Sequence, residues 1–222
     1  MTTRYATRYT HTLGAPVPAE RRGAQSNPAP AADVVFYSWW RTDPCASLAP
    51  LPGFDVEITA NHQLIAELAR LDSAEVLARV RGGHRPYIAR LDGVPVAYGW
   101  SAVRRAAIGE LGLEFAVPYG NRYLWDFATL PAWRGIGIYP RLLHAILSRE
   151  SVEAARFWIG HVDGNSASMR GIVKAGFGAA GATERREGRA LTFAATGSAT
   201  RARACAKLLG LEMQLSRSIR SA

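Results

Sequence analysis

The chain has 222 residues, 48% hydrophobic and 20% charged, which excludes a disordered polymer and suits one well-buried domain with appendages. No apolar run approaches the roughly 20 residues of a membrane-spanning helix, and two cysteines, Cys45 and Cys205, are too few and too distant for a disulfide framework or a zinc site. The formal net charge of +9 raises nucleic acid as a partner.

Residues 1–33 mix Arg, Thr, Pro, Gly and Ala without periodicity and read as a flexible arm. They hold no apolar core of a secretory signal, so a cytoplasmic, reducing compartment is expected. Residues 34–40 read as a strand closed by the turn-like Asp43-Pro44, and residues 50–53 as a second break. From Asn61 to Arg81 apolar residues recur at helical spacing: Leu64, Ile65, Leu68, Leu71, then Val76, Leu77 and Val80. Asp72-Ser73 separates two short helices, one of the pair capping the second. After Gly82-Gly83 the period changes. Residues 87–91, the turn Asp92-Gly93 and residues 94–100 form a hairpin. Residues 111–117 read as a further strand, and residues 121–130 as a long one ended by Pro131.

A helix follows over residues 138–150, burying Leu142, Leu143, Ile146 and Leu147. Then come a strand at 156–162, a helix at 165–174, and strands around 177–185 and 189–194. This order predicts an α/β (α+β) chain around a mixed sheet. The stretch from Arg201 to Ile219 interleaves basic and apolar residues and reads as an amphipathic helix. Its expected partner is the domain itself or a second subunit, which leaves a homodimer open. Contact with an anionic membrane surface is the minority reading. The organisation expected is an arm (1–33), a domain (34–195) and a basic, helical C-terminal extension (196–222).

The charge sits at the ends. Four arginines oppose Glu20 and Asp33 in residues 1–33, and eight basic groups oppose Glu184, Glu187 and Glu212 in residues 184–222. A solvated tail accounts for that basicity as well as a polyanion does, so no nucleic-acid partner is expected.

Between the long strand and the helix after it runs Leu130-Pro131-Ala132-Trp133-Arg134-Gly135-Ile136-Gly137-Ile138-Tyr139. Glycines there let successive backbone N–H groups turn inward, where the new helix also begins with N–H groups lacking partners. Such a nest suits a phosphate. The missing Gly-Lys-Ser/Thr excludes a P-loop, and Tyr139-Pro140-Arg141 stands where a dinucleotide fingerprint needs its third glycine. Two glycines after a strand also serve a plain tight turn.

Strand, Pro131, Arg134-Gly135-Ile136-Gly137-Ile138 and a helix bearing Leu142-Leu143 resemble the acyl-CoA loop of the GNAT acyltransferases. A second block, Asn165-Ser166-Ala167-Ser168 followed by Lys174-Ala175-Gly176-Phe177, is similar to that family's next element. The resemblance covers residues 87–194 well and the helices at 61–81 loosely. It implies a mostly antiparallel central sheet in which two central parallel strands splay apart. It also implies an N-acetyltransferase using acetyl-CoA, or another acyl-CoA, as cosubstrate without a metal, and an amine acceptor that the sequence does not identify. The strand segment Phe127-Ala128-Thr129-Leu130 would bond the pantetheine arm. The amides of Arg134, Gly135, Ile136, Gly137, Ile138 and Tyr139 would hold the pyrophosphate, with Asn165 and Ser168 reaching pantetheine or phosphate. Helix capping is an equally weighted role for those last two. The chain departs from the pattern twice: Tyr139 replaces a small residue, and Ile172 stands where the family often has a tyrosine that protonates the leaving thiolate.

An alkyl ammonium with pKa near ~10.4 is neutral in only about one molecule in a few thousand at pH 7, so a base must take its proton. Asp126, between Trp125 and Phe127 before the splayed segment, is the first candidate; an ion pair or backbone turn is its structural alternative. His161 is the second, with a core position beside Phe157 and Ile159 as its alternative. Glu114 and Tyr123 follow at lower rank. Of the aromatic residues Tyr98, Trp100, Tyr119, Tyr123 and Trp125, some are expected to line the acceptor pocket. A CoA-binding module without catalysis is the rival function.

Overall fold

In the computed structural model, which describes residues 33–185 and 190–214, the chain is organised by alternation along its central strands. In β1 (Val34–Trp40), Val34 and Phe36 enter one core, while Tyr37 and Trp39 enter the other. β7 (Asn121–Thr129) and β8 (Arg156–Val162) alternate between the same two cores, Tyr123 and Trp158 entering the first and Leu124, Phe157 and Ile159 the second. Strands buried on both faces need layers on both sides, and the helices supply them.

One face is covered by α3 (Ile138–Glu150) and α4 (Ser166–Lys174), which bury Leu142, Leu143, Ile146 and Ile172 against Tyr37, Leu124, Phe157 and Ile159. The opposite face carries α1 (His62–Ala69) and α2 (Ser73–Arg81). Ile65, Ala66 and Val76 from these helices pack on Ile88, Tyr98 and Trp100 of β3 (His84–Leu91) and β4 (Val94–Ala102). Asp72 caps α2, its carboxylate accepting from the Glu75 amide at 2.7 Å, as its residue type predicts.

Three strands escape the sequence reading, two of them in the first half of the chain. β2 (Phe54–Ile58) does alternate Phe54, Val56 and Ile58, a usable signal overshadowed by the break before it. β5 (Arg105–Ile108) has only four residues and pairs with β6 (Leu113–Ala116) in a separate hairpin. After β9 (Gly178–Glu184) and β10 (Thr192–Ala195), α5 (Ala199–Leu209) buries Ala202, Cys205, Ala206, Leu208 and Leu209 on the β5–β6 side. The helix expected over 201–219 stops at Leu209, where Gly210 turns left-handed, and the third missed strand, β11 (Glu212–Met213), pairs in parallel with β10.

Among the described residues the sheet order is β11-β10-β9-β1-β8-β7-β4-β3-β2. It is mixed and mostly antiparallel, with parallel pairing only at β7–β8 and β10–β11. β7 and β8 pair from Asn121↔Arg156 to Leu124↔Ile159 and then part. Here β7 also bulges against β4, because Tyr98 faces Ala128 while Trp100 faces Trp125. The C-terminal end of α3 is anchored by Glu150, which is buried and accepts from Tyr87 Oη at 2.7 Å, Arg85 at 3.1 Å and the Nε of Arg122. No helix among the described residues is long and apolar enough to cross a membrane. The predicted arm, apart from Asp33, lies outside the described residues, as does the predicted C-terminal helix beyond residue 214.

Candidate active site

Beyond Leu124 and Ile159 the facing edges of β7 and β8 have no strand between them. At the end of β7, a short 3-10 turn (Pro131–Trp133) leads through Arg134 into the glycine loop. Gly135 and Gly137 take φ of +85° and +80°, a region open to glycine at little cost. The amides of Gly137, Ile138 and Tyr139 have no hydrogen-bond partner among the described residues, and Pro140 has no N–H to satisfy. Arg134 turns back, its Nε donating to the Thr129 carbonyl at 3.0 Å. Arg141 braces the loop from below, donating to Gly137 O at 2.9 Å and Ala49 O at 2.7 Å. Nothing lies within 4 Å of a Cβ built on Gly135, so the loop has open space and free main-chain donors. It fits a phosphate group.

Tyr139 does not fill that space. Its ring packs on Phe127 at 5.7 Å between centroids and over Gly171, where a Cβ would come within 2.3 Å of it. Its hydroxyl is 3.5 Å from Ser168 Oγ. Burial pushes the phenol up to about 12, partly offset by the Ser168 contact. Asn165 is the N-cap of α4, its Oδ1 accepting from the Ser168 amide at 3.0 Å. Ile172 is fully buried and apolar.

A cleft of about 470 Å³ opens where β7 and β8 separate, on the face of α1, α2 and the β5–β6 hairpin, and both candidate bases line it. Asp126 stands at the bulge with φ +50°, a left-handed conformation that aspartate tolerates better than most residues. Its Oδ2 accepts from Arg79 Nη1 at 2.5 Å. Arg79 also donates from Nε to Glu75 at 2.9 Å. Its guanidinium lies over the rings of Trp125 at 4.5 Å and Trp100 at 5.2 Å. The ion-pair alternative for Asp126 is therefore what the structure contains. Arg79 escaped the sequence reading because an arginine one turn after a glutamate looks like a solvated helix face.

His161 is 9% exposed and stacks on Tyr37 with centroids 5.6 Å apart. Its Nδ1 is 2.8 Å from the Val162 carbonyl. A carbonyl only accepts, so Nδ1 donates, and in the neutral ring Nε2 is then the acceptor. That Nε2 is buried without a partner among the described residues. Of the aromatic candidates, Tyr123 and Trp125 line the cleft. Tyr98 and Trp100 pack in the core under α1 and α2, and Tyr119 is fully exposed. Glu114 sits on the outside of β6, paired with Arg105 at 3.4 Å. Among the described residues no cluster of three or more His, Cys, Asp or Glu is placed to hold a metal.

No protein-family model matches this sequence, and no curated protein matches it. Among solved structures, a GNAT-family protein from Novosphingobium aromaticivorans is similar at TM-score 0.50 and 19% identity, over 68% of this chain and 61% of that one. A GCN5-related N-acetyltransferase from Kribbella flavida is similar at TM-score 0.45 and 16% identity, over 67% and 56% of the two chains. An aminoglycoside N-acetyltransferase solved in complex with CoA is similar at TM-score 0.43 and 17% identity, over 56% and 91%. The chain spans under two thirds of the length of the first two. The parted parallel strands, the bulge on β7 and the first of these likenesses agree: the described residues have the GNAT acetyltransferase fold.

Proposed function

We propose that this chain is an acyl-CoA-dependent N-acyltransferase of the cytoplasm, moving an acetyl group from acetyl-CoA to a primary amine by direct attack. The observation that carries the reading is the gap between β7 and β8. It is flanked at one end by unpartnered loop amides, and Asp126 and His161 both border the cleft beside it. In this reading the amides from Arg134 to Tyr139 hold the diphosphate, and the free edge of β7 at Ala128, Thr129 and Leu130 bonds the pantetheine arm. Asn165 and Ser168 border the same path from α4. When bound, the acyl-CoA supplies a thioester carbonyl whose C–S bond breaks as the C–N bond to the amine forms.

Two protons leave the acceptor ammonium: one is released so that the amine can attack, and the second as the amide forms. One proton goes to the departing thiolate and one to solvent. His161 is the acceptor of choice, because its Nε2 has no partner among the described residues and an imidazole nitrogen can take up a proton. Asp126, with one oxygen held by Arg79, offers its other oxygen as an anchor for the ammonium. With Ile172 apolar, the thiolate draws its proton from water or another group. Thiols are acidic enough to leave with modest help.

The test is acetyl-CoA turnover against an amine panel, read by free-thiol release across pH. His161→Ala is expected to lower kcat about 100-fold or more and to remove the acid limb of the profile. Asp126→Asn is expected mainly to raise KM. Unchanged profiles in both variants would remove both residues from the mechanism. Heat on titrating CoA without turnover of any amine would favour the noncatalytic CoA-binding module.

A further inference from the structure

The glycine turn ahead of α3 is held by a side chain of that same helix. Arg141 stands one turn inside α3 and folds back to its start, where Nη1 donates to the Gly137 carbonyl at 2.9 Å. Its Nη2 donates to the Ala49 carbonyl at 2.7 Å, on the segment that joins β1 to β2. That segment is itself anchored: Trp39 Nε1 donates to the Pro44 carbonyl at 3.4 Å, and Leu51 packs on the core beneath α3 and α4. The charge of Arg141 is badly placed for the fold alone. A helix start carries about half a positive charge, and the first turn of α3 has no acidic residue. The partners of the guanidinium among the described residues are carbonyls and not carboxylates, and its Nε is buried with no partner among them. An anion beside the turn would relieve that crowding of positive charge.

We infer, resting on the acyl-CoA reading of this loop, that Arg141 is a positioning residue for the diphosphate of the cosubstrate. It acts through the peptide between Gly137 and Ile138. That peptide is trans and planar, so the Ile138 N–H points away from the carbonyl that Arg141 holds, and this N–H has no partner among the described residues. Pinning the carbonyl side of the turn presents its amide side. Gly137, at φ +80°, has more backbone conformations open to it than any other residue type would have. The tether to Ala49 removes that freedom before the anion arrives, and a site ordered in advance binds more tightly. A lysine would carry the same charge as a single point, without the planar fork that spans two carbonyls.

The experiment titrates CoA into the full-length protein by calorimetry and follows the Ile138 amide by heteronuclear NMR over the same titration. Arg141→Ala is expected to raise the Kd for CoA tenfold or more, with little change in the thermal midpoint of the free protein. The shift of the Ile138 amide at saturating CoA is expected to fall by half or more. Arg141→Lys keeps the charge and is expected to remain at least fivefold weaker than wild type. An Arg141→Ala variant that binds CoA as tightly as wild type, or that shows the full Ile138 shift, overturns the inference. Wild-type affinity in Arg141→Lys does so too, because charge alone then accounts for the residue. A collapsed thermal midpoint in both variants assigns Arg141 to the fold instead of the ligand. Wild-type protein that gives no heat with CoA sinks the acyl-CoA reading itself, an outcome read before any variant is compared.

Discussion

Glu150 shows how single residues fix the scaffold behind the cleft. It is 1% exposed, at the far end of the helix that begins at the glycine loop, and three side chains from β3 and β7 converge on it. Glu150→Ala would leave Arg122, itself buried, with only the exposed Glu153 as an acidic partner, and Tyr87 without its acceptor. The expected loss is about 3–5 kcal/mol of stability, read as a lower urea midpoint. A loss below about 1 kcal/mol would mean that solvent already reaches the pair. Nothing in the sequence around Glu150 announces this role, because a glutamate at the end of an amphipathic helix looks solvent-facing. Asp126 was legible as a candidate and its left-handed backbone was not. Its conformation comes from the bulge that β4 imposes, with Phe127 folded over Gly99, where a Cβ would meet its ring at 2.0 Å.

Elements were read more easily than their partners. Both α3 and β8 occupy the residues predicted for them, since each has strong periodicity and a clear start. The loop between β7 and α3 is the element on which the reading depends most. Gly137 is left-handed, and a Cβ there meets Arg141 Nη1 at 2.5 Å. Gly137→Val is expected to cost about 1–2 kcal/mol from the left-handed backbone alone and to weaken CoA binding at least tenfold by calorimetry. Undiminished affinity with unchanged stability would show that the amides of this turn do not hold the diphosphate. The exchange of a small residue for Tyr139 is explained across elements: Gly171 on α4 provides the room for its ring, a compensation invisible to a local reading.

At the scale of the whole molecule, α5 belongs to the core rather than to its periphery. Cys205 is fully buried and its thiol is pushed up by burial, and Leu208 and Leu209 fill the same cluster as Phe193 and Trp158. Burying each leucine contributes about 1.5–3 kcal/mol, a large share of the net ~5–15 kcal/mol that holds a domain together. A chain ending at Ala195 is therefore expected to show no cooperative thermal transition by circular dichroism. A native-like melt would place the domain boundary there after all. By itself the sequence determined the alternation of strands and helices, the mixed sheet and the glycine turn, because hydrophobic period and backbone permissiveness are local properties. Only the tertiary structure decided that Arg79 clamps Asp126, that His161 stacks on Tyr37 with a buried, unpartnered nitrogen, and that α5 completes the core. Those facts depend on which distant segments meet when the sheet closes, and on where two parallel strands stop pairing.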